Sequence, residues 1–87
     1  MYAVLVYDAG DTRNQDALKV CRRYLHWVQN SVFEGPLSPA QLKLLHADLA
    51  RVLDQTADSV IVYLLADGTA HTREVWGIEK GNTDNLL

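Results

Sequence analysis

Several residue types are scarce in this sequence, and each scarcity excludes a class of protein. Its 87 residues include one cysteine, so no disulfide can form within the chain and no zinc site of cysteine pairs is present. Basic residues are outnumbered by acidic ones, 8 to 11, which argues against a protein that coats nucleic acid by bulk charge. Motifs of the P-loop, GxGxxG, HExxH and GxSxG kinds are also absent.

Long apolar runs are missing as well. The first run, residues 1–7, ends at Asp8, so it is too short to span a membrane, and it lacks the basic flank of a signal peptide. We therefore expect a cytoplasmic protein that makes no contact with a membrane. With 48% hydrophobic and 22% charged residues, the composition is that of a globular protein rather than a disordered one.

What is present is an alternation of strand-like and helix-like segments. Residues 2–7 and 59–65 are apolar at consecutive positions and predict buried strands, and residues 72–78 predict a last strand. Residues 27–34 are also strand-like, and they fit either one bent strand or two short strands around Asn30.

Two segments predict helices. The first covers residues 13–25, where Thr12 followed by Gln15 fits a capping box. The second covers residues 39–54, where Ser38 precedes a proline and a glutamine at the positions typical of a helix start.

The order of these elements predicts an α+β fold, a ferredoxin-like βαββαβ sandwich with an extra C-terminal strand, as one domain over residues 1–78 with a tail at 79–87. Both helices would cover one face of an antiparallel sheet. The strands at 2–7 and 59–65 are apolar on both faces, so the other face would expose an apolar patch. A second copy packed on that face would bury it, and we therefore predict a homodimer.

Asp8 is the carboxylate of greatest interest, because it ends a buried strand just before a helix. Taken alone, such a residue is more typical of a turn, where it accepts hydrogen bonds from nearby backbone amides. In a homodimer, however, a two-fold axis would double it, and two facing carboxylates repel each other unless a cation lies between them. Mg²⁺ suits such a site because it needs only one or two carboxylates and keeps its waters. A water bound to Mg²⁺ near a phosphodiester is the minimal requirement for a nuclease.

A basic group on the first helix is the second candidate, formed by Arg13, Lys19, Arg22 and Arg23. Such a group is usually a solvated helix face. In a dimer it would be doubled, and the two patches would be able to contact phosphates along a nucleic-acid duplex. Cys21, on the same helix, falls in the apolar stripe and is predicted to be a buried thiol rather than a nucleophile.

Three segments together resemble a known family. They are Tyr7-Asp8 at the end of the first strand, the octapeptide Val-Gln-Asn-Ser-Val-Phe-Glu-Gly at 28–35, and residues 59–63. This combination is similar to the small dimeric endonuclease subunit of the CRISPR adaptation machinery, the partner of the CRISPR integrase in spacer acquisition. The resemblance extends to about Ile78, and the octapeptide is its most specific part.

The resemblance implies a ferredoxin-like homodimer in which the two Asp8 carboxylates bind one Mg²⁺ at the interface. It also implies that this dimer cleaves RNA or double-stranded DNA. It implies a second role as well, in which the dimer bridges integrase dimers and supports the prespacer duplex through the basic residues of the first helix. Tyr7 and Phe33 would then belong to the interface, Phe33 as a packing residue, and residues 79–87 would pack on the partner or the integrase.

The turn after Asp8 is short and carries less charge than is common in the family, and the sequence departs from the family pattern at two further positions. Trp27 stands where arginine is frequent, and Gln15 stands near Arg13, where a second arginine is common. Both departures remove cations able to contact phosphate, so they bear more on nuclease activity than on the alternative of a catalytically silent scaffold in the adaptation complex. A small-molecule-binding regulatory module is a third alternative, supported by the fold alone.

Overall fold

The computed structural model describes residues 1–66 and 70–80. The elements follow in the order β1 (Tyr2–Asp8), α1 (Asp11–Arg22), β2 (His26–Gln29), β3 (Val32–Pro36), α2 (Pro39–Val52), β4 (Ser59–Ala66) and β5 (Ala70–Gly77). The segment that was ambiguous in sequence therefore forms two short strands. Of the predicted C-terminal tail, only Glu79 and Lys80 belong to the described residues.

The five strands form one antiparallel sheet in the order β2-β3-β1-β4-β5. The first four have the ferredoxin-like arrangement, and β5 is the extra C-terminal strand, paired to β4 at the edge. This confirms the predicted fold class. Among the described residues, no helix is long and apolar enough to cross a membrane.

The two faces of the sheet differ because successive side chains of a strand point to opposite sides. On β1, Ala3, Leu5 and Tyr7 are buried beneath the helices. The opposite side, which we call the open face, carries apolar side chains that no helix covers. They are Tyr2, Val4, Val6, Val32, Ile61, Tyr63, Leu65 and Val75.

The helix starts show one correct and one wrong capping prediction. At α2 the predicted capping box is present: the Gln41 amide donates to Ser38 Oγ at 3.1 Å, and the Ser38 amide donates to Gln41 Oε1 at 2.8 Å. At α1 the Thr12–Gln15 box is absent, because the helix begins at Asp11 with Gly10 as the N-cap and no side-chain cap. Thr12 therefore lies inside the first turn.

Candidate functional site

Asp8 lies at the end of β1, the central strand of the sheet, where it is paired with Ser59 of β4. Its position in the alternation places it on the same side as Val4 and Val6, at the rim of the open face. The side chain is 71% exposed, and a cavity of about 190 Å³ lies beside it. A rigid strand between two hydrogen-bonded neighbours thus presents a carboxylate to solvent at the edge of an apolar surface.

Lys80 is the basic partner of this carboxylate. Its Nζ lies 3.5 Å from Asp8 Oδ2 and donates to the Asp8 carbonyl at 3.2 Å. Because the carboxylate is mostly in water, an ion pair of this kind contributes little and exchanges readily with other cations. The sequence offered no signal for this contact, since 72 residues separate the two side chains along the chain.

The turn between β1 and α1 is held by Asp58, a residue that the sequence analysis missed. Asp58 is only 2% exposed, and its carboxylate accepts hydrogen bonds from the Gly10 amide at 3.2 Å and the Asp54 amide at 2.8 Å. Arg13 adds two more, from Nε at 2.6 Å and from Nη2 at 3.1 Å. The Arg13 hydrogen bond, opposed by burial and aided by the amides, lowers the pKa of Asp58 to about 2.

The four basic residues predicted on the first helix, of which Arg23 lies just past the end of α1, do not form one patch. Arg13, at the start of the helix, is 37% exposed and its guanidinium is bound to Asp58. Arg22 lies nine residues further, about 14 Å along the helix axis. Arg23 is 3.8 Å from Asp48 of α2, whereas Lys19 and Arg22 are exposed and form no ion pair within residues 1–66 and 70–80. Their role in binding nucleic acid stays a prediction.

Tyr7 and Phe33, which were predicted at the interface, lie in the core of the protomer. Tyr7 is 4% and Phe33 0% exposed, and their rings stack with centroids 6.2 Å apart. Both side chains point to the helix-covered side of the sheet, opposite Val6 and Val32. Any contribution that they make to an interface is therefore through packing beneath the open face.

Within residues 1–66 and 70–80, a single chain does not hold a metal site of the usual kind. Across the described part of the chain, no group of three or more histidine, cysteine, aspartate or glutamate side chains converges. Asp8 provides hard oxygen ligands of the type that Mg²⁺ prefers, but as one carboxylate. The residues fit a magnesium site only where a second copy brings its own Asp8.

Comparison with known proteins decides the family. The family model described as "CRISPR associated protein Cas2" matches residues 1–73. The chain belongs to the Cas2 family. Two relatives bear the name "CRISPR-associated endoribonuclease Cas2". The protein of Frankia alni is 48% identical to this chain over 87 residues, and that of Thermotoga maritima is 42% identical over 81 residues. These alignments cover all of both chains for the first and 93% of each for the second.

A solved Cas2 structure agrees with this assignment. The crystal structure of Streptococcus pyogenes Cas2 at pH 6.5 is 32% identical, with a TM-score of 0.69, and the match covers 76% of this chain and 87% of that chain. Family membership confirms the resemblance predicted from sequence, including its class of enzyme, a nuclease of the CRISPR systems. The residues of the site, the metal and the integrase partner stay predictions.

Proposed function

We propose that two copies of this chain pack through the open face and form one metal-dependent endonuclease site from their two Asp8 carboxylates. The observation that carries the proposal is the position of Asp8, a 71% exposed carboxylate on a central strand at the rim of an apolar face. A two-fold axis near that rim brings both carboxylates to one place. The proposed enzyme then has one site per dimer.

The open face supports the dimer because it is too apolar for a surface in water. Tyr2 is 39%, Val6 36%, Tyr63 37% and Leu65 36% exposed, and they lie on one side of two adjacent strands, β1 and β4. Contiguous apolar patches of this kind mark interfaces. A standard interface takes about 800 Å² from each partner, about one-seventh of the 5674 Å² of accessible surface of this chain.

The proposed cation is Mg²⁺, held by Asp8 of each protomer. When bound, it supplies a Lewis acid that polarises the phosphodiester and lowers the pKa of water. Asp8 holds and orients it, while the buried Asp58 fixes the turn that follows Asp8. Lys80 pairs with Asp8 in a single chain. A cation held by Asp8 would take the place of Lys80 beside the carboxylate, and the freed ammonium would be available to a phosphate of the substrate.

The proposed substrate is nucleic acid, with RNA favoured because the relatives are named endoribonucleases. Double-stranded DNA is the other candidate. Lys19 and Arg22 are exposed on α1 and supply charge for backbone phosphates. The two copies in a dimer double these contacts.

The test compares wild type with Asp8→Asn on labelled single-stranded RNA and duplex DNA, in Mg²⁺ or in EDTA. We expect cleavage that needs both the metal and Asp8, because the amide lacks the charge that holds the cation. Asp16→Asn is the matched control, since Asp16 is an exposed carboxylate on α1. Light scattering confirms that each protein is dimeric. Equal cleavage by Asp8→Asn, or cleavage in EDTA, would contradict the proposal.

A catalytically silent scaffold is the second candidate, and one observation favours it. Lys80 compensates the charge of Asp8 within one chain, so the carboxylate is stable without a metal. In this role the dimer bridges integrase dimers and supports the prespacer duplex during spacer acquisition. We expect Asp8→Asn to leave acquisition intact in cells that contain the integrase. Acquisition lost in a variant that still dimerises and binds the integrase would rule out this separation of roles.

A further inference from the structure

A second open cavity lies on the helix side of the sheet. It is a groove of about 450 Å³ between α1 and the β2–β3 hairpin. Asn14, Leu18 and Arg22 line one wall, Trp27 and Asn30 line the other, and Tyr7 lines it between them. Tyr7 also lines the cavity at Asp8, which lies on the opposite side of the sheet.

The helix wall follows from the spacing of its residues. Asn14, Leu18 and Arg22 are four residues apart, so they lie one above another on the same face of α1. Trp27 stands opposite on β2, the edge strand, where it is paired with Phe33 and shares its side of the sheet. The groove therefore has an amide, an aliphatic group and a guanidinium on one side and an indole on the other.

The indole is exposed but held in place. Trp27 is 54% exposed, the most of any aromatic side chain among the exposed large hydrophobic residues described. Its Nε1 donates to the Asn30 carbonyl at 3.0 Å, and Asn30 has the left-handed φ of 45° that closes the hairpin. The Ser31 carbonyl accepts from the Tyr7 amide at 3.2 Å, which ties this turn to β1. A large flat apolar surface is thus fixed toward solvent before any ligand arrives.

The charge of the groove differs from that of the whole chain. Arg22 is the single ionised side chain among the residues that line it, and no carboxylate is among them, although the chain has a net charge of −3. An aromatic plate, amides that pair with base edges and a guanidinium that pairs with phosphate are together the groups that recognise an unpaired nucleotide. The volume lies within the range of small-molecule sites, about 300–1,000 Å³.

We propose that this groove binds one unpaired nucleotide of a single-stranded nucleic acid, with its base on Trp27 and its phosphate on Arg22. The inference deepens the proposed function, on which it rests for nucleic acid as the substrate, by assigning Trp27 and Arg22 to one nucleotide of the strand. Bases paired in a duplex are stacked on their neighbours and do not reach the indole.

The experiment measures binding without cleavage. Labelled 12-nucleotide RNA is titrated with the full-length protein in EDTA, by fluorescence anisotropy, beside a blunt duplex and free uridine monophosphate. We expect the single strand to bind best and Trp27→Ala to weaken it about 5-fold to 150-fold, the range for loss of one base stack. Trp27→Phe, which keeps a ring, recovers most of the affinity. Binding of the RNA quenches the fluorescence of the exposed Trp27 indole in wild type. The fluorescence of Trp76, which is 7% exposed, reports that the fold is intact.

A matched pair of arginines tests the phosphate contact. Arg22→Gln lowers the slope of affinity against salt by about 0.7, the value for one contact to a single strand. Arg51→Gln changes an exposed arginine of α2 that also lies beside Asp48, outside the groove lining, and keeps the wild-type slope. Equal slopes for the two variants would overturn the assignment of Arg22.

The outcomes separate this proposal from the nuclease. If wild type cleaves no substrate but its binding of the single strand still depends on Trp27, the proposed nuclease activity is contradicted and the proposed groove is supported. Single-strand affinity unchanged in Trp27→Ala would overturn the groove whether or not the protein cleaves. Tighter binding of the duplex, or equal binding of the free mononucleotide, would overturn the single-strand assignment.

Discussion

Replacement of Asp58 by asparagine tests what fixes the start of α1. The carboxylate is 1% exposed and accepts hydrogen bonds from the Gly10 amide, the Asp54 amide and the Arg13 guanidinium. Asparagine keeps the shape but loses the charge and exchanges one acceptor oxygen for a donor. At least one of these donors then faces an amide NH₂ and is left without a partner.

The size of the effect follows from two contributions. The pKa of Asp58 is lowered from 3.8 to about 2, which corresponds to at most about 2 kcal/mol. Solvent screening at Arg13, 37% exposed, reduces this to about 1 kcal/mol. An unpaired buried donor adds about 1–3 kcal/mol. We therefore expect Asp58→Asn to lower the free energy of unfolding by about 2–4 kcal/mol, which lowers the Tm by at least about 8 °C in a domain of this size.

The pH dependence identifies the charge as the cause. Because the pKa of Asp58 is lower in the folded than in the unfolded protein, its contribution is complete at neutral pH. It declines as the pH falls below about 5 and is lost near the folded pKa of about 2. The advantage of wild type over Asp58→Asn should therefore narrow between pH 7 and pH 3.

Urea unfolding at one protein concentration, followed by tryptophan fluorescence, measures this difference at both pH values. Asp16→Asn is the control, because it removes an exposed carboxylate from the same helix. A variant within about 0.5 kcal/mol of wild type at pH 7 would refute the reasoning, since changes of that size are typical of surface positions. So would a difference that stays constant down to pH 3.

Three further predictions concern the interface, the core and the helix caps. Ile61→Arg puts a charge on the open face, and light scattering should find a monomer; a dimer at micromolar concentration would contradict the proposed interface. Burial raises the pKa of Cys21 to about 12, so Ellman's reagent should label this thiol at pH 8 only after the protein unfolds. Rapid labelling of the native protein would show that the burial of Cys21 is incomplete. Ser38→Ala should lower the free energy of unfolding in urea by about 1 kcal/mol because it removes a helix cap. Thr12→Ala removes no cap and should lower it by less than half as much, so equal losses would contradict the assigned caps.

The elements that were predictable from sequence are those fixed by neighbouring residues. The strand prediction at 2–7 was correct to within one residue, and the start of α2 was correct because its capping box is local. The start of α1 was wrong because its anchor, Asp58, lies 48 residues from Gly10 along the chain. No pattern within the first helix reveals such a partner.

The candidate site divides in the same way. Asp8 stood out because it ends an apolar strand, and the structure places it at the rim of the open face. Lys80 escaped notice because only the folded chain brings it to Asp8. Arg13 was predicted to bind phosphate as part of a basic group and from the family resemblance. Its guanidinium is bound instead to Asp58, which lies 45 residues away along the chain. Trp27 was noted only as a departure from the family pattern, since its exposure and its place in the groove arise from the hairpin.

The contribution of one Asp8 carboxylate from each protomer has a consequence for dosage. Under the proposed site, one protomer carries half of the ligands, so cleavage requires two protomers to meet. Below the dissociation constant of the dimer, the rate then rises with the square of the protein concentration. A cell that makes little of the protein would carry almost no nuclease, and a modest rise in expression would switch the activity on steeply.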